Sequence, residues 1–186
     1  MRLCSSDTKV PLSTPNAPLR LVGKRPDSRH CPCRMVVSSQ TKAMEPDYLF
    51  ELKRSLINRS CHVARMASEW CIEFDGNVQI WMAWPWRIVA DGRVAFGSED
   101  DGQRFGLPTP LDGEACANTL LADKKVRSVS IDEQTGDIRI LFDDAIQLDA
   151  FTSTRGYEGW RAHFSIGEVR WSAIVLGGGE IAVFPG

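Results

Sequence analysis

Apolar and polar residues alternate with a period of two through most of the second half of the chain and much of its middle. Trp70, Ile72 and Phe74 alternate with Cys71 and Glu73. Asp75-Gly76-Asn77 then gives a tight-turn signal, and Val78, Ile80, Met82, Trp84 and Trp86 resume the even-numbered face. This predicts a hairpin with one buried side. Asp91-Gly92 predicts the next turn, joining Trp86–Ala90 to Arg93–Phe96. Further on, Val126–Ile131 runs through Glu133-Gln134-Thr135-Gly136 into Asp137–Phe142, and Asp143-Asp144 leads to Ile146, Leu148 and Ala150. Gly177-Gly178-Gly179 links the final two predicted strands, near Trp171–Leu176 and Glu180–Phe184.

The period lengthens to that of a helix in two places. Tyr48, Leu49, Leu52 and Leu56 share a face, with Asp47 as cap and Lys53, Arg54 and Arg59 where the C-terminal dipole favours cations. Asp112–Ala122 predicts a second short helix, capped by Asp112 and turning Ala115, Cys116 and Leu120 inward. Gly97–Pro110, rich in Gly, Pro and acid, reads as loop.

The pattern occurs twice. Glu69–Ile80 lies over Asp137–Leu148 without a gap, matching Ile72 with Ile140, Phe74 with Phe142, Asp75 with Asp143 and Gln79 with Gln147. Trp86-Arg87 answers Trp160-Arg161, and Gly92-Arg93-Val94-Ala95 is matched with Gly179-Glu180-Ile181-Ala182. Two copies of one supersecondary unit, each with one apolar face, are expected to shield each other. The predicted fold is mainly β: an antiparallel sandwich or flattened barrel of two pseudo-repeats, at about 57–97 and 120–186, with one or two short helices. Relative to the first copy, six residues are inserted before Trp160, within Thr152-Ser153-Thr154-Arg155-Gly156-Tyr157-Glu158-Gly159.

Composition modifies this picture at the N-terminus. In residues 1–45, Pro11, Pro15, Pro18, Pro26 and Pro32 interrupt a run rich in Ser, Thr and Arg with no hydrophobic period. It reads as a disordered or mis-annotated tail, against one domain over 46–186. Charge divides at the same place. The tail holds eight Lys/Arg and three Asp/Glu, a balance of +5, whereas 46–186 holds 14 basic and 21 acidic residues, a balance of −7. An acidic domain disfavours nucleic acid and anionic lipid and speeds encounter with a basic protein. No stretch approaches the ~20 apolar residues of a membrane span, and no secretory signal pattern occurs, so the expectation is a cytoplasmic chain without a membrane partner.

The candidate chemistry is sparse. Six cysteines form no disulfide framework, and His30-Cys31-Pro32-Cys33 lacks a second ligand pair at zinc spacing, so no metal or other cofactor is expected. Cys61-His62 are neighbours whose side chains would leave a strand on opposite faces, and His163 has no nominated nucleophile. No nucleophile elbow, phosphate loop or dinucleotide fingerprint is present, and no catalytic residue is assigned. Trp70, Trp84 and Trp86 share the core parity, whereas Trp81 points the other way. The insertion crowds Arg155, Tyr157, Glu158 and Trp160 together.

In order along the chain, Phe74-Asp75-Gly76, Trp86-Arg87, Leu111-Asp112-Gly113-Glu114, Thr135-Gly136-Asp137 and Phe142-Asp143 precede Gly156-Tyr157-Glu158-Gly159-Trp160 and Gly178-Gly179-Glu180-Ile181-Ala182-Val183-Phe184. Over about residues 50–184 this resembles a bacterial family of small, uncharacterised β-rich proteins, similar in type to the immunity proteins of polymorphic toxin systems. The resemblance implies no catalytic residues. It implies a non-catalytic protein-binding module that neutralises a basic toxin. The expected binding residues are Trp81, Asp100, Asp101, Asp143, Asp144, Arg155, Tyr157 and Glu158. The alternative is a small-ligand or carbohydrate site lined by Trp81, Tyr157 and Trp160.

Overall fold

The computed structural model describes residues 46–83 and 85–186. The N-terminal tail, with its His30-Cys31-Pro32-Cys33 cluster, and Trp84 lie outside the described residues. Helix α1 (Tyr48–Leu56) leads into strands β1 (Cys61–Arg65), β2 (Trp70–Phe74), β3 (Val78–Met82), β4 (Trp86–Ala90) and β5 (Arg93–Gly97). Helix α2 (Gly113–Leu121) then leads into β6 (Val126–Ile131), β7 (Ile138–Phe142), β8 (Gln147–Ala150), β9 (Trp160–Ile166), β10 (Val169–Val175) and β11 (Ile181–Pro185). All pairings are antiparallel, in two open sheets: sheet A in the order β1-β2-β3-β9-β10-β11, sheet B in the order β5-β4-β8-β7-β6.

Each copy contributes three strands to one sheet and then crosses to the other. The registers repeat residue for residue. Ile72 faces Ile80 as Ile140 faces Leu148, and Trp70 faces Met82 as Ile138 faces Ala150. At the seams between copies, Met82 faces Trp160 and Ile80 faces Ala162 in sheet A, while Ala150 faces Trp86 and Leu148 faces Ile88 in sheet B. The fold is therefore an exchanged pair of sheets related by a pseudo-twofold axis. The helices follow it at the edge strands, where α1 packs on β6 as α2 packs on β1.

The same registers correct one sequence match. Arg87 faces Gly97 of β5, and its counterpart Arg161 faces Ile174 of β10. Hence β5 corresponds to β10, and the Gly179-Ala182 segment opens an additional strand, β11, with no counterpart in the first copy. The shared Gly at each strand start misled the alignment, because a turn glycine carries little register information.

One core lies between the sheets. Val63, Ile72, Ile80, Ile140, Leu148, Ala162 and Ala173 are all inaccessible to solvent, and Trp70, Trp86 and Phe96 pack edge to face with centroids 5.2 to 6.0 Å apart. Asp47 caps α1 through the Phe50 N–H at 3.0 Å, and Leu52 and Leu56 are buried. The helix ends at Leu56, so Arg59 lies past it and packs against Gly76. Asp112 caps helix α2, and Cys116 and Leu120 pack partly buried against the core as expected, but the fully buried line is Gly113, Ala117 and Leu121, and Ala115 is exposed. Close approach sets that face. A side chain at Gly113 would lie 2.9 Å from the Phe96 ring, so only glycine seats the helix there.

Candidate functional site

Both links between sheets lie at one end of the sandwich. Residues 83–85 join β3 to β4, residues 151–159 join β8 to β9, and the Phe151 N–H donates to the Pro85 carbonyl at 3.0 Å. The two-residue hairpins Asp91-Gly92 and Gly167-Glu168 and the Asp143–Ala145 turn lie at the opposite end. This geometry divides the predicted binding residues into groups that cannot act as one surface.

Asp143 and Asp144 occupy the hairpin end. Asp143 accepts from the Lys125 N–H at 2.9 Å and from the Arg127 guanidinium. These contacts hold its carboxyl below the ordinary range, the Lys125 N–H first. Asp144 pairs with Lys124 at 2.6 Å and raises that ammonium's pKa. Both acids are already engaged in closing the β7–β8 turn against the start of β6.

Asp100 and Asp101 lie towards the crossover end, also with structural partners. Asp100 accepts the Gly97 N–H at 2.8 Å, and Asp101 takes the Gly113 N–H at 2.9 Å and Arg65 Nε at 3.2 Å. The acidic run thus fastens the loop after β5 to α2 and β1.

Trp81 is on the outer face of sheet A, as its parity predicts. Its ring is covered by the Arg161 guanidinium, 5.1 Å from the centroid, and Arg161 is itself held by both oxygens of Glu69 at 3.1 and 2.6 Å. Cys71, directly opposite Trp81 in register, is fully buried, and burial, with Glu73 next, pushes its thiol up to about 11. A similar burial, aided by Asp75, pushes Cys61 up to about 12, so neither thiol is a nucleophile at neutral pH.

The insertion behaves differently. Thr154 Oγ1 accepts the N–H groups of Gly156 and Tyr157 at 3.1 and 2.8 Å, and the Gly178 N–H donates to the Thr154 carbonyl at 3.1 Å. Gly177 is needed at this contact, because a Cβ there would come within 2.4 Å of the Arg155 carbonyl oxygen. The backbone is tied down while the side chains are not. Arg155, Tyr157 and Glu158 make no side-chain hydrogen bond or ion pair among the described residues, and Tyr157 is 79% exposed. Tyr157 and Glu158 line a depression of about 490 Å3 with Gly156 and Ala83. A second cleft of about 360 Å3, lined by Arg65, Ser68, Trp70, Ala83, Ser98, Glu99 and Asp101, meets it at Ala83.

Trp160 does not join Trp81 and Tyr157 in a ligand cleft. It is 2% exposed and donates its indole N–H to the Gly136 carbonyl at 2.7 Å, a core residue at the strand crossover. The stacking platform expected for a sugar is therefore not assembled: one aromatic is buried, one is under an arginine, and one stands alone.

Two side-chain groupings, one around Asp149 and one pairing His163 with Ser172, are not foreseen by the sequence. Asp149, 1% exposed on the outer face of sheet B, accepts from Arg87 Nε and Nη2 at 3.1 Å each, from Arg139 Nε at 2.8 Å, and from Gln147 Nε2 at 2.8 and 2.9 Å. Burial pushes its pKa upward, but the hydrogen bonds from Arg139, Gln147 and Arg87 outweigh it and hold the carboxyl below its ordinary value. His163 Nδ1 lies 2.9 Å from Ser172 Oγ, and burial, Arg170 and Arg161 lower its pKa. Ser172 is 5% exposed and His163 is half-buried on the outer face of sheet A. The only signal for either group was an outward-facing polar residue in a strand, which surface residues share.

Among the described residues no cluster of three or more His, Cys, Asp or Glu has metal-binding geometry, and no helix is long and apolar enough to cross a membrane. No family model, curated protein or solved structure matches the chain.

Proposed function

We propose that this chain is a non-catalytic binding module whose crossover end receives a basic protein partner, in the manner of an immunity protein neutralising a toxin. One observation carries this reading: the inserted loop presents Tyr157 and Glu158 unengaged on a tied-down backbone, beside a cleft lined by Glu99 and Asp101. Tyrosine offers large contact area with few rotatable bonds, and a pre-ordered loop avoids the entropy loss that weakens flexible interfaces. The balance of −7 over residues 46–186 favours a cationic partner by steering encounter. The sequence resemblance points the same way.

The test uses the full chain and the purified product of an adjacent toxin-like gene. Binding is expected to weaken as salt rises, and Tyr157→Ala to cost about 2 kcal/mol, roughly thirtyfold in Kd. Glu158→Lys is expected to slow association more than it speeds dissociation. Salt-insensitive binding, or wild-type affinity in both variants, would remove this end of the sandwich from the reading.

A further inference from the structure

Among the described residues, three of the four sheet edges are interrupted by helix cover, a bound segment or a bulge, and one runs uninterrupted. At β1, Asn118 of α2 imitates a neighbouring strand: its Oδ1 accepts the Val63 N–H at 2.8 Å and its Nδ2 donates to the Val63 carbonyl at 2.7 Å. Glu114 takes the Arg65 N–H at 2.8 Å. At β6, Val126 exchanges hydrogen bonds with Arg59 and Asn58 and the register shifts between Val126 and Ser128, so the edge is bent at its start and only Val129 and Ile131 face outward beyond the bulge. At β5, the register shifts between Ile88 and Val89, leaving Ala95 as a bulge. Helix cover and bulges are the usual means of preventing edge-to-edge pairing.

Among the described residues, strand β11 has neither. It pairs with β10 without a register shift from Ile181 to Pro185. The Leu176 N–H bonds to Glu180 and the Gly186 N–H to Arg170, so alternation places the bonded pairs at even-numbered residues of β11. Ile181 and Val183 therefore direct N–H and C=O outward, with no partner among the described residues. Pro185 has no N–H to satisfy.

We propose that this edge pairs with the same edge of a second copy, antiparallel about a twofold axis through Ala182. This register places Ile181 against Val183 of the other copy and the reverse, pairing each of their outward donors and acceptors. Moving the axis to Ile181 would demand the Gly179 N–H, which already bonds Leu176, and moving it to Val183 would demand an N–H from Pro185. The side chains suit the same register. Ala182 meets Ala182 across the axis with no bulk, and exposed Phe184 lies opposite Glu180, so no like charges face each other. Two five-residue strands bury less than a permanent dimer requires, so association is weak, with a Kd on the order of 100 μM.

Sedimentation of the full chain from ~10 μM to ~1 mM is expected to show a monomer–dimer equilibrium. Val183→Pro removes an outward N–H without touching a β10 bond and is expected to weaken the dimer at least tenfold. Ala182→Lys and Ala182→Glu leave the backbone intact, and each alone is expected to be monomeric because two like charges meet at the axis. Mixing these two variants is expected to restore association. A wild-type monomer throughout the range, or a dimer that both Ala182 variants leave intact, overturns the proposal.

Discussion

The outer faces of the two sheets occupy equivalent positions yet are built from different chemistry. Register places Asp149 of sheet B where Trp81 stands in sheet A, and Arg87 where Arg161 stands. In sheet A the arginine pairs with Glu69 and lies over an indole; in sheet B it shares a buried carboxylate with Arg139 and Gln147 and lies 4.9 Å from the Phe151 ring centroid. The inward positions diverge far less: Ile72 and Ile140, Phe74 and Phe142, Trp86 and Trp160 are retained across the axis. A core shared by both copies restricts each side chain through the volume of its neighbours, whereas an outer face needs only that its arginine find a counter-charge. Two different solutions to that one requirement are seen.

The largest effect is expected at Asp149. Asp149→Ala leaves Arg87 and Arg139 without their common partner, and removing one member of a buried charged cluster costs roughly 3 kcal/mol, toward the low end because both arginines reach water. Glu69→Ala, whose partner Arg161 is also partly solvated, is expected to cost at most about 1 kcal/mol. Urea denaturation of both variants checks the contrast, and equal losses would refute it. The pH dependence has a definite sign. The folded pKa of Asp149 is depressed below 3.8, so its contribution is whole above the ordinary carboxylate range and is lost as pH falls from 3.8 through the folded value. Wild type is expected to lose more stability than Asp149→Ala on acidification below pH ~4.

A smaller effect separates the equivalent tryptophans. Trp160 donates to the Gly136 carbonyl, whereas Trp86 Nε1 is buried with no partner among the described residues. Both Trp→Phe changes remove packing, but Trp160→Phe also strands a buried carbonyl. It is expected to be more destabilising by about 1 to 2 kcal/mol. The difference in thermal midpoint between the two variants measures it.

The inside of this molecule was far more legible in the sequence than the outside. Period-two alternation identified Trp70, Ile72, Phe74, Val78, Ile80 and Met82 as core because burial of a sheet face demands it of every second residue. The inserted loop is legible from the repeat alone, since its six extra residues change the offset that holds from Glu69 to Ile80 before Trp86-Arg87 is met again. Strand β11 was misassigned because a duplicated unit need not end where its copy ends. The inward face of α2 is read one residue off its centre because Ala115, Cys116, Ala117 and Leu120, Leu121 offer two apolar stripes one residue apart, and contact with Phe96 chooses between them. Asp149 stayed hidden because its partners come from three strands. Period reports which face a residue takes, not which neighbour meets it across the sheet.

A change in stability as small as that of Glu69→Ala is expected at the other side of the same arginine on sheet A. Trp81→Ala removes a partly exposed ring and its contact with Arg161, a loss of about 1 kcal/mol. Stability is the weaker readout here, because Arg161 remains paired with Glu69. Cys71 supplies a sharper one. It stands opposite Trp81 on the same outer face but is fully buried, and its thiol is held up to about 11 chiefly by that burial. Removing the indole admits water, which lowers the cost of the thiolate and opens a path for reagent. Native-state alkylation of Cys71 is therefore expected to accelerate at least tenfold in Trp81→Ala, with Cys61 unchanged. Conversion of Asp149, the counterpart of Trp81, uncovers no thiol, because the residue opposite it in β7 is Arg139. Equal alkylation in wild type and Trp81→Ala would mean that Arg161 and Glu69 alone cover Cys71, and the indole would then be a spare surface on sheet A after all.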